Sequence, residues 1–320
     1  MGPLPGAQRL NIAIMLPVRD PAGLDEFLKE LYDPHSQQYH QFLTAEEFTD
    51  RFGPSLEDYD SVVRFAQSNG MTVTSTPSNR MLEDVSARVS DIDRALHLSL
   101  GVYQDKTKGR TFFAPDREPS VDLATPLWHI AGLNNFSTPH PLFLKGQRPG
   151  SSNTSGSGPS GNFLGSDRRA AYYGGSSLTG AGQSVGLVEF DGYNVADVQQ
   201  YFTNVGQVLS VPTENVAIDG ASTGSDGDDT EQVIDIVEAV SIAPGLSQVR
   251  VYIALLSSID PAQSGPGVSD MFNQMATDDV KQISCSWNWI PTDITEEDGV
   301  FQEFGPGSEL LLRVRRQRLI

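Results

Sequence analysis

Two carboxylates four residues apart are the side chains of this sequence best suited to chemistry. Glu231 and Asp235 lie in the run TEQVIDIVEAVSIAPG, residues 230–245, whose apolar spacing predicts a helix. Residues i and i+4 share one helix face, so the two side chains can point into the same cleft. Neighbouring carboxylates raise one another's pKa, and beside a nucleophile such a pair can supply a general base and its support.

A plainer interpretation of the same stretch is a solvated acidic helix N-terminus. Asp219, Asp226, Asp228 and Asp229 precede the pair, and acidic residues are common at the N-cap and first turn of helices. The acidic loop also suggests a calcium- or carbohydrate-binding module, although it lacks the spacing of a calcium-binding loop. Spacing alone leaves the helix-terminus interpretation open beside the catalytic one.

The distribution of histidines restricts which base is available. All five histidines lie within the first 140 residues: His35, His40, His97, His129 and His140. A Ser-His-Asp triad built within the later residues is therefore excluded, and carboxylates are the remaining candidates for a base there. The single cysteine, Cys285, excludes an internal disulfide. Its apolar, strand-like surroundings predict a buried structural thiol.

The composition predicts an acidic protein of two domains. The chain has 320 residues, a net charge of −19 and a pI of about 4.5, which argues against nucleic acid or an anionic membrane as a partner. An excess of carboxylates suits a protein that works in acid. No apolar run is long enough to span a membrane, the N-terminal run has no secretory pattern, and no cofactor-binding or metal-ligand motif is predicted.

Residues 1–144 predict a small α+β domain. The predicted helices are Ala22–Leu31, Ala45–Arg51, Leu56–Asn69 and Val89–Leu100, and the predicted strands are Ile12–Val18, Met71–Ser75 and Val102–Tyr103. Thr44, with Glu47 three residues later, predicts a capping box at the start of the second helix. Residues 145–166 are dense in Gly, Ser and Pro and predict a flexible linker.

Residues 167–304 alternate strands with helices. The predicted strands are Ser184–Phe190, Gln248–Ala254 and Gln282–Trp287, and the predicted helices are Val195–Val205, Glu231–Ile242 and Val268–Ala276. This alternation predicts an α/β domain with a doubly wound parallel sheet. Residues 305–320 break the pattern with an arginine-rich tail in a chain that is otherwise acidic.

Several long runs, in order, resemble the sedolisin or kumamolisin-type serine-carboxyl peptidases. The runs YYGGSSLTGAGQSVGLVEFDGYN, TEQVIDIVEAVSIAPGLSQVRVYIA and ISCSWNW resemble the peptidase domain. The run LYDPHSQQYHQFLTAEEFTDRFGPSLEDYDSVVRFAQSNGMTVT resembles the activation domain that precedes it. The resemblance extends to about residue 304, where VFQEF is similar to the helix before the family's oxyanion segment.

The resemblance implies a subtilisin-like doubly wound parallel sheet, here C-terminally truncated, preceded by an α+β ferredoxin-like propeptide domain. It also implies a secreted, monomeric, acid-acting endopeptidase that cleaves proteins or peptides. Its propeptide contacts the peptidase domain and is removed up to about residue 165. In such enzymes a Glu supported by an Asp activates a Ser nucleophile, and a protonated Asp donates to the oxyanion. By motif, the Glu matches Glu231 and its supporting Asp matches Asp235.

The sequence departs from the family in three places. The family's A-S-G-D-S-G oxyanion run, its G-T-S nucleophile run and its calcium site are all missing from these 320 residues. The resemblance implies a bound calcium ion, but the residues that would hold it are missing from this chain. Codons can be chosen for Glu309–Leu319 that, when translated in a shifted reading frame, give Q-S-F-F-F-A-S-G-D-S-G, a run similar to the family's oxyanion segment. This possibility suggests a frameshift before the tail. We expect this chain to be inactive; the alternative is a free-standing prodomain that inhibits or chaperones a related peptidase.

Overall fold

The computed structural model describes residues 1–106, 109–136, 139–141, 155–173, 177–255 and 266–288. These residues divide into two compact units. Unit 1 contains residues 1–136 and 266–279, and unit 2 contains residues 139–255 and 280–288. Among the described residues, no helix is long and apolar enough to cross a membrane.

The helices and strands follow one another along the chain in this order. The first part contains β1 (Gly2–Pro3), β2 (Arg9–Met15), α1 (Pro21–Tyr32), α2 (Ala45–Phe52), α3 (Leu56–Ser68), β3 (Thr72–Ser75), β4 (Leu82–Arg88), α4 (Val89–Ala95), β5 (Leu100–Gln104), β6 (Thr111–Pro115) and β7 (His129–Ala131). The second part contains β8 (His140–Pro141), α5 (Gly165–Tyr173), β9 (Ser184–Glu189), α6 (Val195–Asn204), β10 (Thr213–Ala217), α7 (Thr230–Ile242), β11 (Gln248–Ile253), α8 (Gly267–Thr277), β12 (Ile283–Cys285) and β13 (Trp287–Asn288).

Unit 1 is built on an antiparallel sheet with strand order β3-β4-β2-β7. Its central strand β2 pairs with β4 over its whole length, Ile12 facing Val85. Fully buried side chains from this sheet and from α3 and α4, such as Ile12, Val62 and Ile92, form one core. A smaller sheet has the order β1-β5-β6. Unit 1 is therefore an α+β arrangement.

The predicted capping box at the start of α2 is confirmed. The backbone N–H of Glu47 donates to the Thr44 hydroxyl at 3.2 Å, and the Thr44 N–H donates to the Glu47 carboxylate at 2.8 Å. These two bonds satisfy backbone donors that a helix N-terminus leaves without intrahelical partners. Phe48 and Phe52 on the same helix pack with α1 in a second cluster.

Unit 2 contains the predicted parallel sheet, with strand order β10-β11-β9-β12. The central strands β9 and β11 are rich in buried Val, Leu and Ile, as strands covered on both faces are. Ile236 and Val240 of α7 pack with Leu187 and Val251 of the sheet in one core. The helix that carries Glu231 and Asp235 is thus docked on the sheet by its apolar face.

The structure corrects several element boundaries. The helix predicted over Val89–Leu100 ends at Ala95, because His97 takes a left-handed backbone conformation (φ 52°) and Leu100 begins β5. The strand predicted over Gln282–Trp287 divides into β12 and β13, and Trp287 then pairs with β8. Strands β4, β6, β7 and β10 and helix α5 were not predicted. Cys285 was predicted to be a buried thiol. The residue as a whole is exposed, on the strand β12 that is the last of this sheet among the described residues, but burial of its sulfur raises the thiol pKa to about 11.

The linker and the tail are covered only in part. Residues 155–166 contain a 3-10 turn at Pro159–Gly161 and the first residues of α5. Residues 145–154 and the whole tail from 305 to 320 lie outside the described residues. The domain division into 1–144, 145–166, 167–304 and 305–320 stays a prediction.

Candidate active site

Helix α7 brings the two predicted carboxylates to the same interior face. Glu231 is only 5% exposed, and Asp235, one turn later, is partly buried. The N-cap residue Asp229 does not cap α7 with its side chain; its carboxylate accepts from the backbone N–H of Asn194 at 2.8 Å. Burial of Glu231 does not fit a solvated acidic helix terminus. The structure therefore places both residues together, while their catalytic roles stay a prediction.

A third carboxyl group, Glu189, joins the pair. Glu189 ends strand β9 and is fully buried. The indole Nε1 of Trp287 donates to Glu189 Oε2 at 2.9 Å. The pKa of Glu189 is raised from 4.5 to about 9. Burial is the largest cause, the nearby carboxyls of Asp235 and Glu231 contribute to the rise, and the hydrogen bond from Trp287 opposes it. Glu189 is therefore protonated at neutral pH.

The hydroxyl of Ser286 lies between the strands β12 and β13 and donates to Asp235 Oδ1 at 2.9 Å. Burial raises the pKa of Asp235, while hydrogen bonds from Ser286 and Glu189 lower it. Burial also raises the pKa of Glu231, with a further rise from Asp235 and a lowering by Ser286. The three carboxyls are consequently biased toward holding protons.

Among the described residues, one buried oxygen of each of the three carboxyl groups accepts no hydrogen bond from an amide, indole or alcohol donor. These oxygens are Glu189 Oε1, Glu231 Oε2 and Asp235 Oδ2. An unpaired buried polar atom costs about 1–3 kcal/mol, so such atoms are rare unless a function retains them. The cluster is chemically suited to accept and hold a proton, and Glu231 has an oxygen free to receive one.

Sequence reasoning missed Glu189, Ser286 and Trp287. The signals were weak: Glu189 closes the apolar strand SVGLVEF, where a terminal Glu is unremarkable, and Ser286 and Trp287 lie in ISCSWNW, which predicted only a strand. Their roles depend on contacts between residues far apart in sequence. Glu189 and Trp287 are 98 positions apart.

The acidic loop before α7 is tied to its neighbours by hydrogen bonds. Asp228 accepts from the Thr230 hydroxyl at 2.6 Å. Burial, and after it a hydrogen bond with Asp226, raise the pKa of Asp191 to about 6. Among the described residues, no group of three or more His, Cys, Asp or Glu side chains is arranged to hold a metal ion.

Known proteins are similar both to the first part of the chain and to nearly its whole length. Residues 1–136 match the family described as "Pro-kumamolisin, activation domain". The chain is 28% identical to sedolisin from Pseudomonas sp. (strain 101), over 93% of this chain and 51% of that protein. The chain is thus similar to the sedolisin-type peptidases over nearly its whole length.

Other sedolisin-type relatives give the same match. Xanthomonalisin from Xanthomonas sp. (strain T-22) is 26% identical over 92% of this chain and 36% of its own length. Kumamolisin from Bacillus sp. (strain MN-32) is 24% identical over 94% of this chain and 55% of its own length. The chain thus spans about half the length of these relatives, or less.

One solved structure of a sedolisin-type enzyme is also similar. It is Pseudomonas sedolisin (serine-carboxyl proteinase) complexed with two molecules of pseudo-iodotyrostatin. The similarity has 22% identity and a TM-score of 0.36, and it covers 52% of this chain and 43% of that one.

Proposed function

We propose that this chain is the precursor of an acid-acting serine-type endopeptidase of the serine-carboxyl class, with proteins or peptides as substrates. The observation that supports this best is the buried carboxyl cluster, in which Glu231 Oε2 has no partner among the described residues. The match of residues 1–136 to an activation domain supports the precursor role. In this proposal Glu231 is the general base and Asp235 supports it.

The proton chemistry explains why carboxyls take this role. A serine hydroxyl that donates to Glu231 loses its proton to that carboxylate as it attacks a peptide carbonyl. Asp235, held by Ser286, and protonated Glu189 stabilise the arrangement behind Glu231. A base works best when its pKa lies near the working pH, and burial raises the pKa of Glu231 above its ordinary value of 4.5. A histidine there would be protonated and unable to act as the base.

The activation domain completes the proposal. Its strand order, β3-β4-β2-β7 with helices between the strands, supports a ferredoxin-like class for this domain. We propose that it contacts the peptidase domain within the same chain until it is released. Secretion and a monomeric state are further proposals that rest on the family resemblance alone. Calcium is expected from the same resemblance, but its site is missing from these 320 residues.

The 320 residues by themselves are proposed to be inactive. They contain neither an A-S-G-D-S-G run for the oxyanion donor nor a G-T-S run for the nucleophile. Without these groups, Glu231 and Asp235 have no hydroxyl to activate and no donor stabilises the oxyanion. The alternative function is that of a prodomain that inhibits or chaperones a related peptidase. It is supported by the separate core of unit 1 and by the match over residues 1–136.

Sequencing the gene beyond the codon for Trp287, followed by expression, tests the proposal. If a one- or two-base correction restores both missing runs, the corrected protein should digest a denatured protein at acid pH. Glu231→Gln should then lower kcat/KM by about a hundredfold or more. The uncorrected chain should show no cleavage. Acid cleavage that Glu231→Gln leaves unchanged would contradict the role of Glu231.

The alternative function has its own experiment. The full chain is added to a purified active sedolisin-type peptidase, and residual activity is measured at neutral and acid pH. Inhibition at neutral pH that weakens in acid supports the prodomain function. Unchanged peptidase activity and refolding yield at every pH removes it.

A further inference from the structure

Helix α5 is bound to the C-terminal half of α7, the helix that carries Glu231 and Asp235. The guanidinium of Arg168 pairs with the carboxylate of Glu238. Arg169 Nη1 donates to the backbone carbonyl of Ser241 at 2.6 Å. A cation near a helix C-terminus also interacts favourably with the helix dipole, and Ser241 lies in the last turn of α7.

The first residue of α5 approaches α7 too closely for any side chain. A Cβ added at Gly165 would lie 2.4 Å from both the Cβ and the carbonyl oxygen of Ser241. The preceding Leu164 is buried at 8% exposure. The two helices therefore meet backbone to backbone at this point, in addition to the polar contacts of Arg168 and Arg169.

The residues before α5 form a turn that is closed on itself. The Gly156 N–H donates to the Gly161 carbonyl at 2.8 Å, and the Gly158 N–H donates to the Asn162 carbonyl at 3.0 Å. Asp167, in the first turn of α5, then accepts from the N–H of Ser157 at 2.9 Å. It also accepts from the N–H of Leu164 at 2.8 Å. These bonds lower the pKa of Asp167.

We propose that residues 156–173 are an N-terminal clasp of unit 2, which remains attached when the activation domain is cut away. The cut then lies on the N-terminal side of Gly156. A cut near residue 165 would separate Asp167 from Ser157 and open the turn. The clasp keeps α7 against its neighbours after the activation domain has left. This inference rests on the proposed function, in which the chain is a precursor that loses its activation domain.

Limited proteolysis of the full chain by added subtilisin at neutral pH tests the clasp. The mass of the protected fragment that contains α7 gives its first residue. We expect this fragment to begin at or before Gly156. In the double variant Arg168→Ala/Arg169→Ala, we expect subtilisin to cleave within residues 156–173 about tenfold faster. This factor corresponds to a loss of about 1.4 kcal/mol in the free energy that holds the clasp against α7.

The matched control is Arg64→Ala, which replaces an exposed arginine in unit 1. Subtilisin should cleave this variant at the same rate as the unchanged chain. A protected fragment that begins after Tyr173 would overturn the clasp. So would equal cutting of the double variant and the control, or digestion of residues 155–255 without any protected fragment. The added protease does the cutting, so these outcomes do not depend on activity of this chain. Failure of the proposed function is detected separately, by the acid peptidase assay of the frame-corrected protein.

Discussion

The indole nitrogen of Trp287 donates to the buried carboxyl of Glu189 at 2.9 Å. The bond joins β13 to the end of β9, and the Trp287 ring also makes an edge contact with Phe190. It gives a polar partner to a carboxyl group that is fully buried. Glu189 in turn lies beside Asp235 and Glu231, so the bond helps set the proton affinity of the whole cluster.

Replacing Trp287 with Phe should weaken unit 2 by about 1 kcal/mol, since the carboxyl of Glu189 loses its donor while an aromatic ring remains. The pKa of Glu189 should rise further, because this hydrogen bond lowers it in the unchanged protein. Chemical denaturation of the full chain measures the loss. Trp128→Phe, at a half-exposed site in unit 1, is the control. Equal losses in the two variants would contradict the proposed role of the bond.

Glu189→Gln should flatten the dependence of unit 2 stability on pH. The pKa of Glu189 is raised from 4.5 to about 9 on folding, so the folded state holds a proton that the unfolded state releases between these values. The stabilisation is fully present below pH 4.5 and is lost as the pH rises toward 9, by up to about 1.4 kcal/mol per pH unit. The glutamine variant lacks this proton. Denaturation midpoints across this range measure the difference, and parallel curves would refute the assignment.

Asp235→Asn should lower the pKa values of Glu189 and Glu231 together, because the charge of Asp235 raises both. Both values should stay above the ordinary range, since burial is the larger cause of each shift. Carbon NMR of labelled glutamate carboxyls, titrated with acid, reports the two groups directly. Asp197→Asn, on the exposed side of α6, should leave both titrations unchanged. Unshifted titrations in the Asp235 variant would mean that the three carboxyls are independent.

Gly192→Ala should destabilise unit 2 by about 1–3 kcal/mol. A Cβ at this position would lie 2.4 Å from the backbone oxygen of Gly224, where the loop after β9 packs on the acidic loop before α7. Gly224→Ala is a matched control because its Cβ would have no atom closer than 4.0 Å. Thermal unfolding compares the two variants. If both melt like the parent chain, the loops do not pack as closely as described.

Local patterns were enough to predict much of unit 1 and the framework of unit 2. The capping box at Thr44 and Glu47, the periodic helices α1 to α3 and the apolar strands β9 and β11 are encoded by neighbouring residues, so their existence was predictable. The i, i+4 spacing placed Glu231 and Asp235 on one helix face for the same reason. The predicted end of α4 was wrong because the left-handed backbone conformation of His97, which ends the helix, is not encoded by the apolar spacing.

The sequence by itself determined that residues 167–304 contain no histidine, so that a carboxylate is the available base within that segment, because residue counts need no folding. The structure adds His140, on strand β8, to unit 2. Only the tertiary structure decided that Glu189 joins Glu231 and Asp235, with Ser286 and Trp287 as donors. Parallel pairing aligns β9 with β12 so that Val188 faces Cys285. This register brings the end of β9 and the residues after β12 together across nearly a hundred positions of sequence. Burial at that meeting point removes water from the carboxyls, and the resulting desolvation, absent from any local pattern, raises their pKa values.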